Sequence, residues 1–246
     1  MIYKKQQEKI NNPFLAHVGK QTFYLYPALS QRLHVITRLF GGNSRLLLII
    51  GETGSGKTLL MQQILAQDEK NWNVCRINAH DSTDMPNDQN LRGMKEHRAY
   101  MLRKNELPVV MMDQAHDLST HELSFLIRLT GAKGYQRQID KLVFFCEPSI
   151  MTRLSEFSEM IPEAGAVEKV FMPRFSMAET KVYVDKRLAA EGYMGATFFT
   201  PSDIEMIYEE SGGCPGGVNR AAAELFNQKN RDGMHLKALF KQFFSK

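Results

Sequence analysis

Eight residues, Gly51-Glu52-Thr53-Gly54-Ser55-Gly56-Lys57-Thr58, stand between the apolar run Leu46–Ile50 and a helix-forming stretch from Leu59 to Ala66. That arrangement leaves few folds open. A glycine-rich turn between a buried strand and a helix can wrap its backbone N–H groups around an anion and aim the helix N-terminus at it. The spacing is G-x-x-x-x-G-K-[ST], the P-loop, and the strand before it and helix after it are the context that separates it from a chance match. Residues 51–59 are therefore read as a phosphate cradle. Lys57 is expected to reach the β- and γ-phosphates of a nucleoside triphosphate, ATP, and Thr58 to ligate Mg²⁺.

The rest of the chain supplies a sheet for this loop. Val74–Ile77, Val109–Met112 and Leu142–Cys146 join Leu46–Ile50 as continuous apolar runs of buried parallel strands, with Val170–Met172 as a weaker fifth. Helical patterns lie between them, the βαβ rhythm of a doubly wound α/β sheet. Beyond residue 173 the strands stop, and helices are expected over about 177–191, 201–210 and 216–229. The chain thus divides into an α/β nucleotide-binding core, 1–173, and a small all-helical lid with an amphipathic C-terminal helix, 174–246. Helix starts are signed by Ser119 with Glu122, Ser176 with Glu179, and Thr200-Pro201 with Asp203.

A length of 246 residues with 43% apolar content can bury a core of this size. The net charge of +4 permits contact with acidic surfaces without requiring it. Cys75, Cys146 and Cys214 have neither disulfide nor metal spacing and read as reduced, buried side chains. A charged N-terminus without an apolar segment, and no run of about 20 apolar residues, point to a cytoplasmic location.

A P-loop needs an acidic residue at the end of a neighbouring strand to complete the Mg²⁺ shell, and Val109-Val110-Met111-Met112-Asp113 provides one. Asp113 is the Walker B aspartate, so Thr58 and Asp113 form the expected metal site.

Four further segments carry a resemblance: Phe23-Tyr24-Leu25-Tyr26-Pro27, Asp113-Gln114-Ala115-His116-Asp117-Leu118, Pro173-Arg174-Phe175-Ser176-Met177-Ala178-Glu179-Thr180, and Ser211-Gly212-Gly213-Cys214-Pro215. Together with the P-loop they resemble the AAA+ ATPases of the general secretion pathway A type, from about Asn12 to Asn227. The resemblance implies an AAA+ core with a helical lid, a cytoplasmic ATPase forming rings or filaments, and a role in assembling an envelope machine such as a secretion channel or pilus. Relatives in the wider superfamily regulate DNA transposition, so a DNA-associated ATPase is the alternative. Members of the secretion type often continue into a transmembrane segment and a peptidoglycan-binding part; this chain reads as a stand-alone ATPase or a piece of a longer protein.

Departures from the family pattern carry the functional question. Where the family has a glutamate after the Walker B aspartate, this chain has Gln114, an amide that can orient water but cannot take its proton. Where the resemblance places glutamine in a Gly-Gln-Pro segment at the end of the sensor 1 strand, Phe144-Phe145-Cys146-Glu147-Pro148 has Glu147. Lys57, Asp113, Gln114 and Glu147 are the catalytic candidates, with Glu147 either a relocated base or a residue that caps or salt-bridges a strand end. The family's sensor 2 arginine falls at Gly216; Arg220, one turn on, either touches phosphate or has a surface role. Arg153 and Arg174 are the arginines near the place of an arginine finger. A catalytically silent scaffold that holds ATP as a structural ligand is the third reading.

Other features have plainer alternatives. His121-Glu122 starts like a zinc-protease motif, but Phe125 occupies the second histidine's place. The run Arg92–Lys104 is either a phosphate-binding face or the wet side of a helix. Gly131–Arg137 is either a surface connection or a partner-facing loop. The tail His235–Lys246 is an amphipathic basic helix that packs on the lid or meets a partner or membrane face.

Overall fold

The computed structural model of the chain describes residues 12–15, 24–66, 74–78, 109–131, 137–161, 167–193 and 198–243, with only the backbone for 75–78 and 232–243. The stretches Asp81–Asn90 and Arg92–Lys104, most of the Gly131–Arg137 loop, and the side chains of the basic tail lie outside the described residues. By packing, the chain forms two compact units, Pro27–Pro173 and Met1–Tyr26 with Arg174–Lys246.

The first unit is built on five parallel strands: β1 (Leu46–Ile50), β2 (Val74–Asn78), β3 (Val109–Asp113), β4 (Lys141–Cys146) and β5 (Val167–Phe171), in the spatial order β2-β3-β4-β1-β5. Strands β1, β3 and β4 are buried at every position, which is why their sequences are unbroken apolar runs rather than alternations. Asp113 at the end of β3 is one exception and Lys141 at the start of β4 the other, and both are also buried. The Lys141 ammonium donates to the carbonyls of Leu39, Phe40 (3.2 Å) and Gly42 (3.0 Å), closing the end of helix α1 (Pro27–Phe40) with a cation.

Alternate residues of each strand face opposite layers. Leu46, Leu48, Ile50, Val110, Met112, Leu142 and Phe144 join one cluster with Leu123, Leu126 and Ile127 of α3 (Thr120–Leu129) and with Ile150 and Leu154 of α4 (Ile150–Ser155). Burying the four aliphatic side chains of α3, Leu129 included, is worth on the order of 6–12 kcal/mol as an upper figure. Leu47, Ile49, Met111, Val143 and Phe145 are fully buried and belong to the opposite face. Helices α1 and α2 (Lys57–Ala66) contact sheet strands through their own apolar positions, Ile36 and Leu60 among them.

Register sets the site. Ile50 pairs with Cys146 and Asp113 with Phe145, so the carboxyl ends of β1, β3 and β4 lie side by side. In parallel sheets this edge is where ligands bind.

The second unit holds α5 (Met177–Ala190), α6 (Pro201–Ser211) and α7 (Pro215–Phe243). The two expected capping boxes, at Ser119 and Ser176, are present, and the expected N-cap Thr200 forms a third with Asp203. Two of the motif segments meet here: Phe175 N–H donates to Gly213 carbonyl at 2.8 Å, and Gly213 has φ +74° with the Phe175 carbonyl where a side chain would start.

The packing differs from the sequence division in two places. The described residues 12–15 and 24–26 pack with the C-terminal helices: Phe14 meets Phe199 and Phe226, Asn12 bonds Ala223 and Asn227, and Tyr24 and Tyr26 join Phe175 and Tyr183. Those aromatic residues find apolar partners there, far along the chain. The tail is also no separate helix, since α7 runs unbroken to Phe243 and takes Gly233 into its interior, at a cost of about 1 kcal/mol relative to Ala. Among the described residues no helix is long and apolar enough to cross a membrane.

Candidate functional site

The P-loop leaves β1 at Ile50 and enters α2 at Lys57. It is fixed at its root: Gly51 N–H donates to Cys146 carbonyl (3.0 Å) and Met172 N–H to Ile50 carbonyl (2.7 Å). A side chain at Gly51 would collide with Ser55 Oγ and stand 2.9 Å from Met172, so only glycine fits. Gly54 and Gly56 take φ of +79° and +91°, the left-handed turns that let successive N–H groups face one point. Glu52, Thr53 and Gly54 are exposed, Ser55 is buried, and Leu59 is half-buried.

The loop's polar groups fit a phosphate and Mg²⁺. Ser55 Oγ is buried without a partner among the described residues. Lys57 is buried, and its Nζ donates to the loop's own carbonyls, Gly51 (2.7 Å) and Glu52 (2.9 Å). The Thr58 hydroxyl donates to Asp113 Oδ2 at 2.9 Å, which brings together the two residues expected to hold the metal. Asp113 Oδ1 accepts from Gln114 N–H at 3.0 Å.

Gln114 turns the chain sharply. It is the one described non-glycine residue with positive φ (56°), a left-handed conformation that costs about 1–2 kcal/mol and leads into a 3-10 turn, Ala115–Asp117. Its Oε1 is buried and has no partner among the described residues.

Glu147 closes the site from β4. Its backbone carbonyl accepts from Ile150 N–H (3.1 Å) at the start of α4, and its carboxylate accepts the Thr53 hydroxyl of the P-loop. Its Oε1 is 3.7 Å from His116 Nε2. The Thr53 hydrogen bond, helped by the charges of His116 and Lys57 and opposed by burial, holds its pKa below the ordinary value of 4.5. The carboxylate is therefore ionised at neutral pH. Next to it, burial pushes the Cys146 thiol up to about 12, which keeps it inert.

The sequence reading and the geometry agree in part. Lys57, Thr58, Asp113, Gln114 and Glu147 come together at one sheet edge. Arg220 lies in the other unit, exposed on α7, as Arg174 is exposed with a bond to Gly212 carbonyl (3.1 Å). Arg153 is engaged within its own chain, donating to the carbonyls of His116 (2.8 Å) and Leu118. That clamp and the Thr53–Glu147 bond had no signal in the sequence, because both join residues far apart in the chain.

Residues 47–148 match the family described as ATPase family associated with various cellular activities (AAA). No curated protein sequence matches the chain significantly. Among solved structures, the Aeropyrum pernix ORC1 protein in complex with DNA is similar at 13% identity and a TM-score of 0.56, over 88% of this chain and 64% of that one. A Walker-type ATPase of Pyrococcus abyssi is similar at 14% identity and 0.54, over 86% and 75%. Cdc6p of Pyrobaculum aerophilum is similar at 15% identity and 0.54, over 89% and 66%. The chain spans less than two thirds of the length of ORC1 and Cdc6p, and 59% of the Aeropyrum pernix ORC2 protein. Its fold is that of a P-loop AAA+ ATPase, an α/β architecture with a parallel sheet flanked by helices.

Proposed function

We propose that this chain is an ATP-binding AAA+ ATPase whose hydrolysis is weakened or waits for a partner, and which works by nucleotide-dependent self-association. One observation carries the reading: at the adjacent ends of β3 and β4 an amide, Gln114, and a carboxylate, Glu147, stand where the family resemblance implies glutamate and glutamine. Gln114 can hold a water through its free Oε1 but takes no proton from it. Glu147 can take the proton. Its lowered pKa makes it a weaker base than a group tuned near neutrality, which is a physical reason for slow turnover.

Thr58 and Asp113 would hold Mg²⁺, which supplies positive charge to offset that of the phosphates. Lys57 would exchange the carbonyls of Gly51 and Glu52 for phosphate oxygens. The helical C-terminal unit is read as the lid, on the family resemblance alone. A cytoplasmic role in assembling a secretion or pilus-type envelope machine is supported by the four motif segments that resemble the general secretion pathway A type.

The test is steady-state phosphate release from Mg²⁺-ATP by the native chain, Glu147→Gln and Gln114→Glu. Loss of turnover in Glu147→Gln supports a relocated base. An inert native chain that Gln114→Glu revives means a switch completed by a partner, and full activity in Glu147→Gln ends the base assignment.

A second reading is a DNA-associated AAA+ ATPase, supported by the likeness in fold to an ORC1 protein solved with DNA and by the exposed Arg32, His34 and Arg38 of α1. It predicts ATP-dependent DNA binding that weakens steeply with salt. Absence of binding at 50 mM salt would eliminate it.

A further inference from the structure

We propose that His116 is the positioning residue of Glu147, holding its carboxylate in place against Thr53 of the P-loop. The proposal rests on the reading of Glu147 as the base and adds to it the group that aims that base.

Three segments meet at Glu147 Oε1. The P-loop contributes the Thr53 hydroxyl, β4 contributes Glu147 itself, and the 3-10 turn after Asp113 contributes His116 Nε2 at 3.7 Å. The turn is fixed on both sides of the imidazole. Asp117 N–H closes it onto Gln114 carbonyl at 2.9 Å, and Arg153 donates to the carbonyls of His116 and Leu118. Glu147 stands just before α4 and Arg153 lies within it, so one segment holds the backbone of His116 and receives its side chain.

The ring's surroundings do not read as packing alone. The His116 side chain is 18% exposed, yet Nδ1 is buried without a partner among the described residues, while Nε2 is directed to the carboxylates of Glu147 and Asp117, each at 3.7 Å. A buried nitrogen without a partner is a standing cost that a purely apolar filler would not bring. The charged groups around Glu147 are Lys57 from the start of α2 and His116 from the turn; Asp117 faces His116, and Arg153 is occupied by carbonyls. Lys57 and His116 both favour the ionised carboxylate.

Placement matters because a general base displaced by about 1 Å can lose about 100-fold in rate. With His116 removed, Glu147 keeps the Thr53 bond and the charge of Lys57, and both belong to the loop that must also receive the phosphates. The expected signature is a loss in kcat of about tenfold with KM for ATP within about twofold.

The experiment uses the full chain with His116→Ala, His116→Gln and Glu147→Gln. It measures phosphate release and, separately, the titration of the Glu147 carboxyl by ¹³C NMR, with Glu147→Gln identifying the signal. The expected result is a tenfold lower kcat and a raised Glu147 midpoint in His116→Ala, with much of kcat recovered in His116→Gln, which keeps an N–H donor. His116→Gln also serves if His116→Ala fails to fold. An unchanged midpoint and unchanged kcat in the His116 variants overturn the proposal while leaving the base assignment intact. Full turnover in Glu147→Gln overturns the base assignment instead, and the midpoint then still reads directly whether His116 holds Glu147.

Discussion

Replacing Arg153 separates two roles that its position allows. An arginine finger acts on a neighbouring subunit, and its loss leaves the fold unharmed. In this chain the guanidinium instead donates to the carbonyls of His116 and Leu118, on the turn that carries Gln114 and follows Asp113. A hydrogen bond from a charged donor contributes roughly 1.5–3 kcal/mol, and a half-buried carbonyl left behind recovers part of this from water. Losing two such bonds in Arg153→Ala should therefore cost about 2–4 kcal/mol. Arg153→Lys has a single nitrogen to offer, and should retain about half of that. Urea unfolding followed by far-UV circular dichroism measures the change, with phosphate release recorded on the same samples. The clamp predicts that stability and turnover fall together, and that Lys restores part of each. A change below about 0.5 kcal/mol in Arg153→Ala, with turnover lost and then recovered on mixing with Lys57-inactivated chains that retain Arg153, would refute the clamp and identify a finger.

Lys141→Met removes a cation that closes α1 and orphans the carbonyls of Leu39, Phe40 and Gly42; relief from desolvating the ammonium offsets part of this, leaving about 2–3 kcal/mol of destabilisation in a urea midpoint. Gly213→Ala places a methyl against the Phe175 carbonyl at φ +74°, and should destabilise by about 2–4 kcal/mol by the same assay. Thr58→Ala should abolish most of the difference in nucleotide affinity between Mg²⁺ and EDTA, at least about tenfold, read with a fluorescent ATP analogue. Because Thr53 and its neighbours lower the pKa of Glu147 below the unfolded value of 4.5, its contribution to stability is present above pH 4.5 and lost as pH falls through the folded value. The stability gap between the native chain and Glu147→Gln should accordingly shrink between pH 7 and pH 3.

The sequence alone determined those features whose physical cause is local. The P-loop is legible because its glycines, lysine and threonine answer to one ligand within eight residues, and the strands β1, β3 and β4 because burial on both faces forbids polar interruption. The three helix caps are legible because both partners lie within four residues. Asp113 could be assigned because the metal shell needs an acid at the end of an apolar strand. Glu147 was legible only as an exchange of residue types, without its partner. Its bond to Thr53 spans 94 residues, the Arg153 clamp 35 to 37, and the Lys141 cap about 100, and no periodicity in the chain records such separations. The aromatic residues Phe14, Tyr24 and Tyr26 likewise carry no mark of the C-terminal helices they join. Those contacts were decided by the tertiary structure, because the parallel register that aligns the ends of β1, β3 and β4 is set by how whole strands pack, not by any residue within them.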